Sequence, residues 1–314
     1  MTTKQLRDFQ VDEHLEIYVL LKEVDARVTQ QGKRYLAVNV ADRSMEIRGM
    51  KWDATPEDVA NLKAGEVVYM SAVRQVYQDK PQLKVLSMRP TQPGEPQDPS
   101  DFLSAAPMKA TDMEAEVAAL LFQITNASWQ RIVRHLLAKF HDAFYKFPAA
   151  KSNHHAFAGG LAFHSLSISR LAQAIVKQYP TVDASLLYAG ALLHDLGKAL
   201  ELSGPVATQY TVAGNLIGHI VLIDEQIVLA ANELQLDLYS EEMLLLRHTV
   251  LAHHGLLEYG SPVKPLLKEA NILHQLDELD ANMQTFDNAL AETEPGEFSQ
   301  RQWALDNRSV YKPK

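Results

Sequence analysis

Histidine and aspartate are the residues of this 314-residue chain whose types and spacing could do chemistry. Eight of the 12 histidines lie between His154 and His254, and the chain has no cysteine. The pair His194-Asp195 ends the apolar run 186–193, where an unpaired carboxylate would be costly to bury. A divalent cation would neutralise that charge, and without thiolates its ligands must be imidazole and carboxylate groups. The pattern therefore indicates a metal site.

The residues after this pair add an anion-binding group. Gly197 is predicted to end the helix without a side-chain clash. Lys198 is then free to reach an anion bound on the metal, so Asp195 and Lys198 are the candidate catalytic residues. The alternative for His194 is a satisfied core histidine, which is the commoner role of a lone histidine, but the adjacent carboxylate argues against it.

Further candidate metal ligands lie at intervals along predicted helices. They are His164 in "GGLAFHSLS", His219 after a glycine, the adjacent His253 and His254, and Asp277 in "LDELDA". In chain order the set reads His, His-Asp, His, His-His, Asp. This order resembles the HD-domain superfamily of metal-dependent phosphohydrolases, over roughly residues 150–290.

The resemblance implies two metal ions that share Asp195. The first would be held by His164, His194, Asp195 and Asp277, and the second by Asp195, His219, His253 and His254. Adjacent histidines cannot share a helix face, so one of the last two is the weaker candidate. Asp280 competes with Asp277, which we prefer because the family's Asp-x-x-acid-Ala pattern aligns with it. Ligands without sulfur favour Mn²⁺, with Fe²⁺ or Co²⁺ as alternatives.

The first 90 residues carry the alternating apolar pattern of strands. Five strands are predicted near residues 15–20, 35–40, 44–50, 67–76 and 83–88. A short helix over residues 56–62 is predicted between the third and fourth, with Thr55 as N-cap and Pro56 at its first position. This is the element order of an OB fold. The run "YLAVNVADRSMEIRGMKWD" resembles the strand 2–3 hairpin of nucleic-acid-binding OB domains.

Proline marks the end of this region, because five of the 14 prolines lie between residues 90 and 107. A polar, proline-rich stretch predicts a linker. Beyond it the apolar period becomes helical, beginning with a capping box at residues 111–114. Further helices are predicted near residues 129–144, 161–179, 184–193, 215–234, 240–253 and 266–290. We expect a multidomain protein with an all-β OB-fold barrel (1–90), a linker (91–110), an all-α HD-domain bundle (111–290) and a C-terminal tail (291–314).

The charge distribution is compatible with a polyanion bound near the N-terminus. The net charge is −9, but residues 27–51 hold six basic residues against two acidic ones. Basic side chains there could track phosphates, and aromatic side chains could stack on unpaired bases. The candidates are Lys33, Arg34, Arg43, Arg48 and Arg74 for phosphates, Tyr35, Trp52 and Tyr77 for bases, and His154 and His155 for phosphate or RNA. Barrel core for the aromatic residues and loop packing for the two histidines are the alternatives.

The two halves together resemble the YhaM-type 3′–5′ exoribonuclease family over nearly the whole chain. The segments "NHHAFAGGLAFHSLS", "HDLGK" and "LDELDA" carry the resemblance. It implies hydrolysis of single-stranded RNA to nucleoside 5′-monophosphates, with single-stranded DNA and a homo-oligomer left open. The polar N-terminus and the lack of a run near 20 apolar residues predict a cytoplasmic protein without a membrane partner. The alternatives are an HD-domain phosphohydrolase acting on free nucleotides and a non-catalytic OB-type single-strand-binding protein.

Overall fold

The computed structural model describes residues 4–78, 80–151, 155, 157–291 and 293–314, and divides the chain into two compact units. The barrel unit comprises Met1–Ala105 with Pro205–Thr208, and the helical unit comprises Ala106–Gly204 with Gln209–Lys314. The main division falls inside the stretch predicted as a linker, residues 91–110. Each unit has its own hydrophobic core. The predicted order, an all-β barrel followed by an all-α bundle, is confirmed.

Five strands close into a barrel in the order β1-β2-β3-β5-β4. They are β1 His14–Val28, β2 Arg34–Ala41, β3 Glu46–Trp52, β4 Val67–Tyr77 and β5 Lys80–Pro90. Neighbouring strands are antiparallel, except that β3 and β5 pair in parallel. The helix α1, Pro56–Asn61, lies between β3 and β4 in sequence, and the Thr55 side chain accepts a hydrogen bond from the Asp58 amide as predicted. This arrangement is that of an OB fold.

Along each strand, every second side chain fills the barrel interior, and the side chains between them face outward. In β1, Leu15 and Val19 are buried, whereas Glu16 is exposed. The β2–β3 register places Tyr35 directly opposite Trp52. Both side chains lie on the outer face, because the buried residues of β2 and β3 have the opposite parity.

The helical unit is built from short and medium helices around one apolar core. Its helices are α2 Ala110–Leu121, α3 Ala127–Lys139, α4 His141–Lys146, α5 Gly160–Gln178, α6 Ala184–Leu193, α7 Lys198–Glu201, α8 Val212–Leu216, α9 His219–Glu233, α10 Glu241–Leu251 and α11 Lys268–Ala291. None of the helices in the described part of the chain is long and apolar enough to cross a membrane.

Three predicted helix boundaries are wrong. Helix α2 begins before Thr111 with Lys109 as its N-cap, so the expected capping box does not form. The helix predicted over 129–144 is interrupted at Phe140, which has φ −106° and ψ 22°. The helix predicted over 215–234 is interrupted at Gly218, so that His219 begins α9. The helical spacing of apolar residues continues across such an interruption when the helices on both sides bury the same face. The interruptions therefore could not be predicted from apolar spacing alone.

Helix α6 occupies the centre of the helical unit. Every residue from Ser185 to Leu193 is buried, as expected for a helix that is apolar on all sides. It packs against α3, α5, α10 and α11. The residues that follow α6, His194 and Asp195, therefore emerge inside the unit rather than at its surface.

The C-terminal residues pack against the end of α11. Isolated bridges join Phe298 to Tyr311 and Gln302 to Arg308. Leu305 and Val310 are buried in a small cluster with Ala289 of α11. The segment predicted as a C-terminal tail thus has a small apolar core of its own.

Candidate metal centre and nucleic-acid interface

Asp195 lies between two sets of imidazoles and presents one carboxylate oxygen to each. Its side chain is buried, with 2% of the residue exposed. Oδ2 lies 3.4 Å from Nε2 of His164 and 3.6 Å from Nε2 of His194. Oδ1 lies 3.4 Å from Nε2 of His219 and 3.9 Å from Nε2 of His253. A carboxylate placed in this way can bridge two cations.

The first set combines two histidines with a second carboxylate. Nε2 of His164 is 3.3 Å from Nε2 of His194 and 3.1 Å from Oδ1 of Asp277. These atoms come from α5, from the residue after α6 and from α11. The packing of α5 and α11 on α6 brings them together.

The second set contains both adjacent histidines. One ligand atom from each of Asp195, His219, His253 and His254 lies within 4.8 Å of every other. The expectation that one of the two is the weaker candidate assumes a shared helix, but α10 ends at Leu251 and both histidines lie in the turn that follows. The helix-face restriction therefore does not apply to them.

Each of the five imidazoles is held from behind through its Nδ1 atom, which faces a hydrogen-bond acceptor. The acceptors are the carbonyl oxygens of Ala191 for His194, Val250 for His253 and Tyr259 for His254, and the carboxylates of Asp280 for His164 and Glu201 for His219, at 2.6 to 3.1 Å. An acceptor at Nδ1 requires the proton there, so in the neutral form of each ring the Nε2 lone pair points into the centre. Metal-binding histidines are oriented in this way.

The centre contains buried acceptors that a cation would satisfy. Within the described residues, Oδ1 of Asp195 and Nε2 of His219 and His253 have no hydrogen-bond partner. Leaving one such buried atom unsatisfied costs about 1–3 kcal/mol. A divalent cation accepts lone pairs from all three, and the mixture of imidazole nitrogen and carboxylate oxygen suits Mn²⁺, Fe²⁺ or Co²⁺. The residues present therefore fit a divalent metal.

The electrostatics keep the carboxylates ionised. Burial raises the pKa of Asp195, but Lys198 and the surrounding histidines outweigh it and hold the pKa well below its usual range. Burial likewise raises the pKa of Asp277, and the hydrogen bond from His164 reverses the shift. Burial lowers the pKa of His164, but its contacts with Asp277 and Asp280 outweigh it and raise the pKa to about 9. Burial and the neighbouring imidazoles lower the pKa of His253.

Lys198 already has a partner in the centre. Its Nζ donates to Oδ2 of Asp195 at 2.7 Å. Burial lowers its pKa, but the charge of Asp195 reverses the shift and raises the pKa above the usual value. The ammonium group therefore stays protonated at neutral pH beside the bridging carboxylate.

The interpretation of Gly197 as the residue that ends a helix is wrong. Its φ of −60° and ψ of −20° are helical, and it is the N-cap of α7. A Cβ at this position would lie 2.1 Å from the carbonyl oxygen of His219. Glycine is required because the start of α9 approaches the backbone here, and this approach carries His219 to Asp195.

Sequence reasoning missed Glu201 and assigned Asp280 a competing role. Oε1 of Glu201 accepts hydrogen bonds from both the amide and Nδ1 of His219, at 3.1 Å each. Asp280 lies on the Nδ1 side of His164, whereas Asp277 lies on the Nε2 side. An acidic residue in a buried short helix was the available signal for Glu201, but no spacing rule connects it to His219.

Part of the predicted nucleic-acid interface lies on the β2–β3 hairpin. The ring centroids of Tyr35 and Trp52 are 4.9 Å apart, and Trp52 is 50% exposed. Lys33, Arg34 and Arg48 are exposed on the same hairpin. We refer to these five residues as the hairpin face.

Three residues of the barrel unit that were predicted to contact nucleic acid are not part of the hairpin face. Nη1 of Arg74 donates to the backbone carbonyls of Leu6 and Phe9, at 3.1 and 2.8 Å, so this side chain holds the N-terminal segment. Arg43 is paired with Asp101. Tyr77 is exposed at the end of β4 and so lies outside the β2–β3 hairpin.

The two histidines predicted to contact RNA have different outcomes. His154 lies outside the described residues. His155 is 3% exposed, and its Nε2 donates to Asp280 at 2.7 Å. The prediction of a direct strand contact is therefore wrong for His155, because its imidazole is buried behind the metal centre.

Comparison with known proteins defines the class of the helical unit first. The sequence model of the HD domain family matches residues 161–282, a range that contains every candidate metal ligand. The chain is also 44% identical over 310 residues to the 3′–5′ exoribonuclease YhaM of Listeria welshimeri serovar 6b, covering 99% of this chain and 98% of the relative. The chain belongs to the YhaM family, as its motifs predicted.

Proposed function

We propose that this protein is a metal-dependent 3′–5′ exoribonuclease that hydrolyses single-stranded RNA to nucleoside 5′-monophosphates. The observation that carries the proposal is the position of Asp195 between two sets of candidate metal ligands. One carboxylate oxygen faces His164 and the other faces His219. The identity to a 3′–5′ exoribonuclease over almost the full length supports the substrate and the polarity.

The charge of the centre favours two metal ions over one. Four carboxylates surround the histidines, those of Asp195, Glu201 and Asp280, which are buried, and that of Asp277, which is partly buried. Two divalent cations balance these four charges, and the ammonium of Lys198 then leaves the centre positive. With one cation the centre would be negative and would repel a phosphodiester, since Coulomb interactions are strong in a buried site.

The proposed ligands follow the two sets. The first ion would be held by His164, His194, Asp195 and Asp277, and the second by Asp195, His219, His253 and His254. Such a pair of ions lowers the pKa of bound water and neutralises charge on the phosphoryl group. We propose Mn²⁺ as the ion, with Fe²⁺ and Co²⁺ as alternatives.

Asp195 and Lys198 are the proposed catalytic residues of this chain. The carboxylate of Asp195 sets the separation of the two ligand sets. Lys198 holds a proton at Nζ, 2.7 Å from Oδ2 of Asp195, where it can donate to a phosphate oxygen of the substrate. A donor aimed at developing negative charge stabilises the transition state.

The hairpin face supplies a grip on the strand. The half-buried ring of Tyr35 and the exposed ring of Trp52 lie on the outer face, where unpaired bases could stack at about 1–3 kcal/mol per base. Lys33, Arg34 and Arg48 offer charges for the phosphates. Stacking of this kind is tolerant of base sequence, as an enzyme that removes successive nucleotides requires, and it accommodates single-stranded DNA as well as RNA.

Labelled strands test the proposal. RNA and DNA of the same sequence, labelled at the 5′ or the 3′ end, are incubated with the protein and Mn²⁺, Fe²⁺ or Co²⁺. We expect the 3′ label to appear at once as a mononucleotide, while the 5′ label marks a ladder of shortening strands. Consumption of free nucleotides with intact strands would identify a nucleotide phosphohydrolase instead. Binding without cleavage under any of the three ions would contradict an enzymatic function.

A further inference from the structure

Two carboxylates one helical turn apart on α11 hold the opposite nitrogens of a single imidazole ring. Oδ1 of Asp277 lies 3.1 Å from Nε2 of His164, and Oδ2 of Asp280 lies 2.8 Å from its Nδ1. Three residues advance about 4.5 Å along a helix, which is enough to place the ring between the two side chains. Asp280 therefore lies behind the proposed metal ligand and does not compete for the metal.

Asp280 is itself held by two further donors. Nε2 of His155 donates to Oδ2 at 2.7 Å, and the hydroxyl of Ser167 donates to Oδ1 at 2.6 Å. An acceptor whose two oxygens are both engaged has one orientation, and it imposes that orientation on His164.

The backbone around Gly160 places His155 at this position. The carbonyl oxygen of His155 accepts a hydrogen bond from the Ala149 amide at 3.0 Å. A Cβ on Gly160 would lie 2.1 Å from the same carbonyl oxygen. The glycine at the start of α5 thus admits the segment that carries His155, and the imidazole of His155 reaches Asp280 on α11.

We propose that Asp280, held by His155 and Ser167, is a positioning residue that orients His164 toward the first metal ion, and that Glu201 does the same for His219 and the second. This inference rests on the proposed metal centre. It assigns one carboxylate-backed imidazole to each ion, while backbone carbonyls hold the other three imidazoles. The two positioning residues should therefore affect different ions.

Titration of the full-length, metal-free protein with Mn²⁺ alone tests the assignment. Wild type should show two binding events by calorimetry. Asp277→Asn, whose side chain lies only in the first set, marks the event of the first ion, and His219→Ala marks the second. We expect Asp280→Asn to weaken the first event by about 10–100-fold and Glu201→Gln to weaken the second by a similar factor. Asp287→Asn, an exposed position on α11, should change neither.

Rescue separates positioning from a purely structural role. His155→Ala should weaken the first event several-fold, and His155→Gln should restore much of it, because the glutamine amide donates at a similar reach to imidazole Nε2. In Asp280→Asn, excess Mn²⁺ should recover much of the kcat for RNA, since the ligands themselves remain. A thermal melt of each variant without metal reports any general loss of stability.

The outcomes distinguish this inference from the proposed function. Wild-type Mn²⁺ affinity in Asp280→Asn, or equal weakening of both events together with a lowered melting temperature, would overturn the positioning role. Wild-type affinity at both sites in Glu201→Gln would overturn its half of the assignment. A wild-type protein that binds no Mn²⁺ would instead contradict the metal centre and the proposed function. If Asp280→Ala fails to fold, the isosteric Asp280→Asn still decides the question.

Discussion

The metal centre and the hairpin face hold their functional groups in opposite ways. In the centre, Asp195 is 2% exposed and each imidazole has an acceptor at Nδ1. On the hairpin face, Trp52 is half exposed and meets Tyr35 in a tilted ring contact. Lys33 is also exposed, and its pairing with Asp53, at 3.4 Å, is a surface contact of the kind that contributes little.

This difference in burial and hydrogen bonding fits the function proposed for each region. Chemistry at a phosphodiester needs groups held within about 0.5 Å of their productive positions, and burial with many hydrogen bonds provides that. A grip on strands of any sequence works with adaptable side chains, because every base has a flat apolar face. Substitutions in the centre should therefore abolish function, whereas substitutions on the hairpin face should weaken it in steps.

The largest effect is expected at the carboxylate that the two sets share. Asp195→Ala should lower kcat on RNA by about a thousandfold or more, because one change removes a ligand from both ions and exceeds the 10–100-fold typical of residues behind a ligand. Binding of the RNA strand to the hairpin face should survive. Activity assays, strand-binding assays and circular dichroism on the same preparation check this. A folded variant with most of the wild-type activity would exclude the proposed mechanism.

Metal removal should destabilise the helical unit and leave the barrel unit largely unaffected. A ligand at 100 times its Kd stabilises the folded state by about 2.7 kcal/mol per site. For two sites, EDTA should lower the melting temperature of the helical unit by about 10–20 °C, given a shift of about 2–4 °C per kcal/mol at this size. Calorimetry with and without Mn²⁺ measures it. An equal downward shift of both transitions would show that the metal acts beyond the helical unit.

A graded effect is expected on the hairpin face. Trp52→Ala and Tyr35→Ala should each raise KM for a long RNA by about 5–150-fold, since stacking contributes about 1–3 kcal/mol per base. The kcat should stay near that of wild type, because neither residue lies in the metal centre. Tyr239→Ala is the matched control, since it removes an exposed aromatic ring from the helical unit. Loss of kcat with unchanged KM would contradict a binding role.

The smallest effect concerns salt. Of the six basic residues in 27–51, Lys51 is buried against Asp58, and Arg43 donates to both the carbonyl and the carboxylate of Asp101. Arg27 and Lys33 each have a single exposed ion pair, which a phosphate can replace. Up to four contacts remain, so log affinity against log salt should have a slope of about −2 to −3 for a strand, at about 0.7 per contact. Glutamate at Lys33 and Arg34 should flatten the slope by about one to two. Strand affinity is measured in the Asp195→Ala background, so that the strand is not hydrolysed during the titration.

Arginine variants outside the hairpin face sharpen this measurement. Arg43→Ala should leave the salt slope unchanged, because its guanidinium is paired within the barrel unit. Arg74→Ala should lower the stability of the barrel through loss of its contacts with the N-terminal carbonyls, and should also leave the slope unchanged. If the slope flattens by the same amount in the Arg43 and Arg74 variants as in the Lys33 and Arg34 variants, the strand does not bind specifically at the hairpin face.

The sequence by itself determined the residue types and the order of the elements. Alternating strands, the Thr55–Pro56 helix start and the apolar run before His194 each follow from local periodicity and capping, which act over a few residues. The ordered histidines and aspartates identified the metal site, because cation chemistry without cysteine restricts the ligands to these types. The family was recognisable from the short motifs around His164, His194 and Asp277, which resemble those of its members.

Only the tertiary structure decided how those residues are held. His155 and Asp280 are 125 residues apart in sequence and 2.7 Å apart in space, so no local pattern connects them. Gly197 looks like a residue that ends a helix until the start of α9 is seen to lie against it. Arg74 and Trp52 are equally plausible strand contacts in sequence, yet one holds backbone carbonyls and the other is exposed. Side-chain partners are set by how distant elements pack, and that packing depends on the whole core rather than on any segment of the chain.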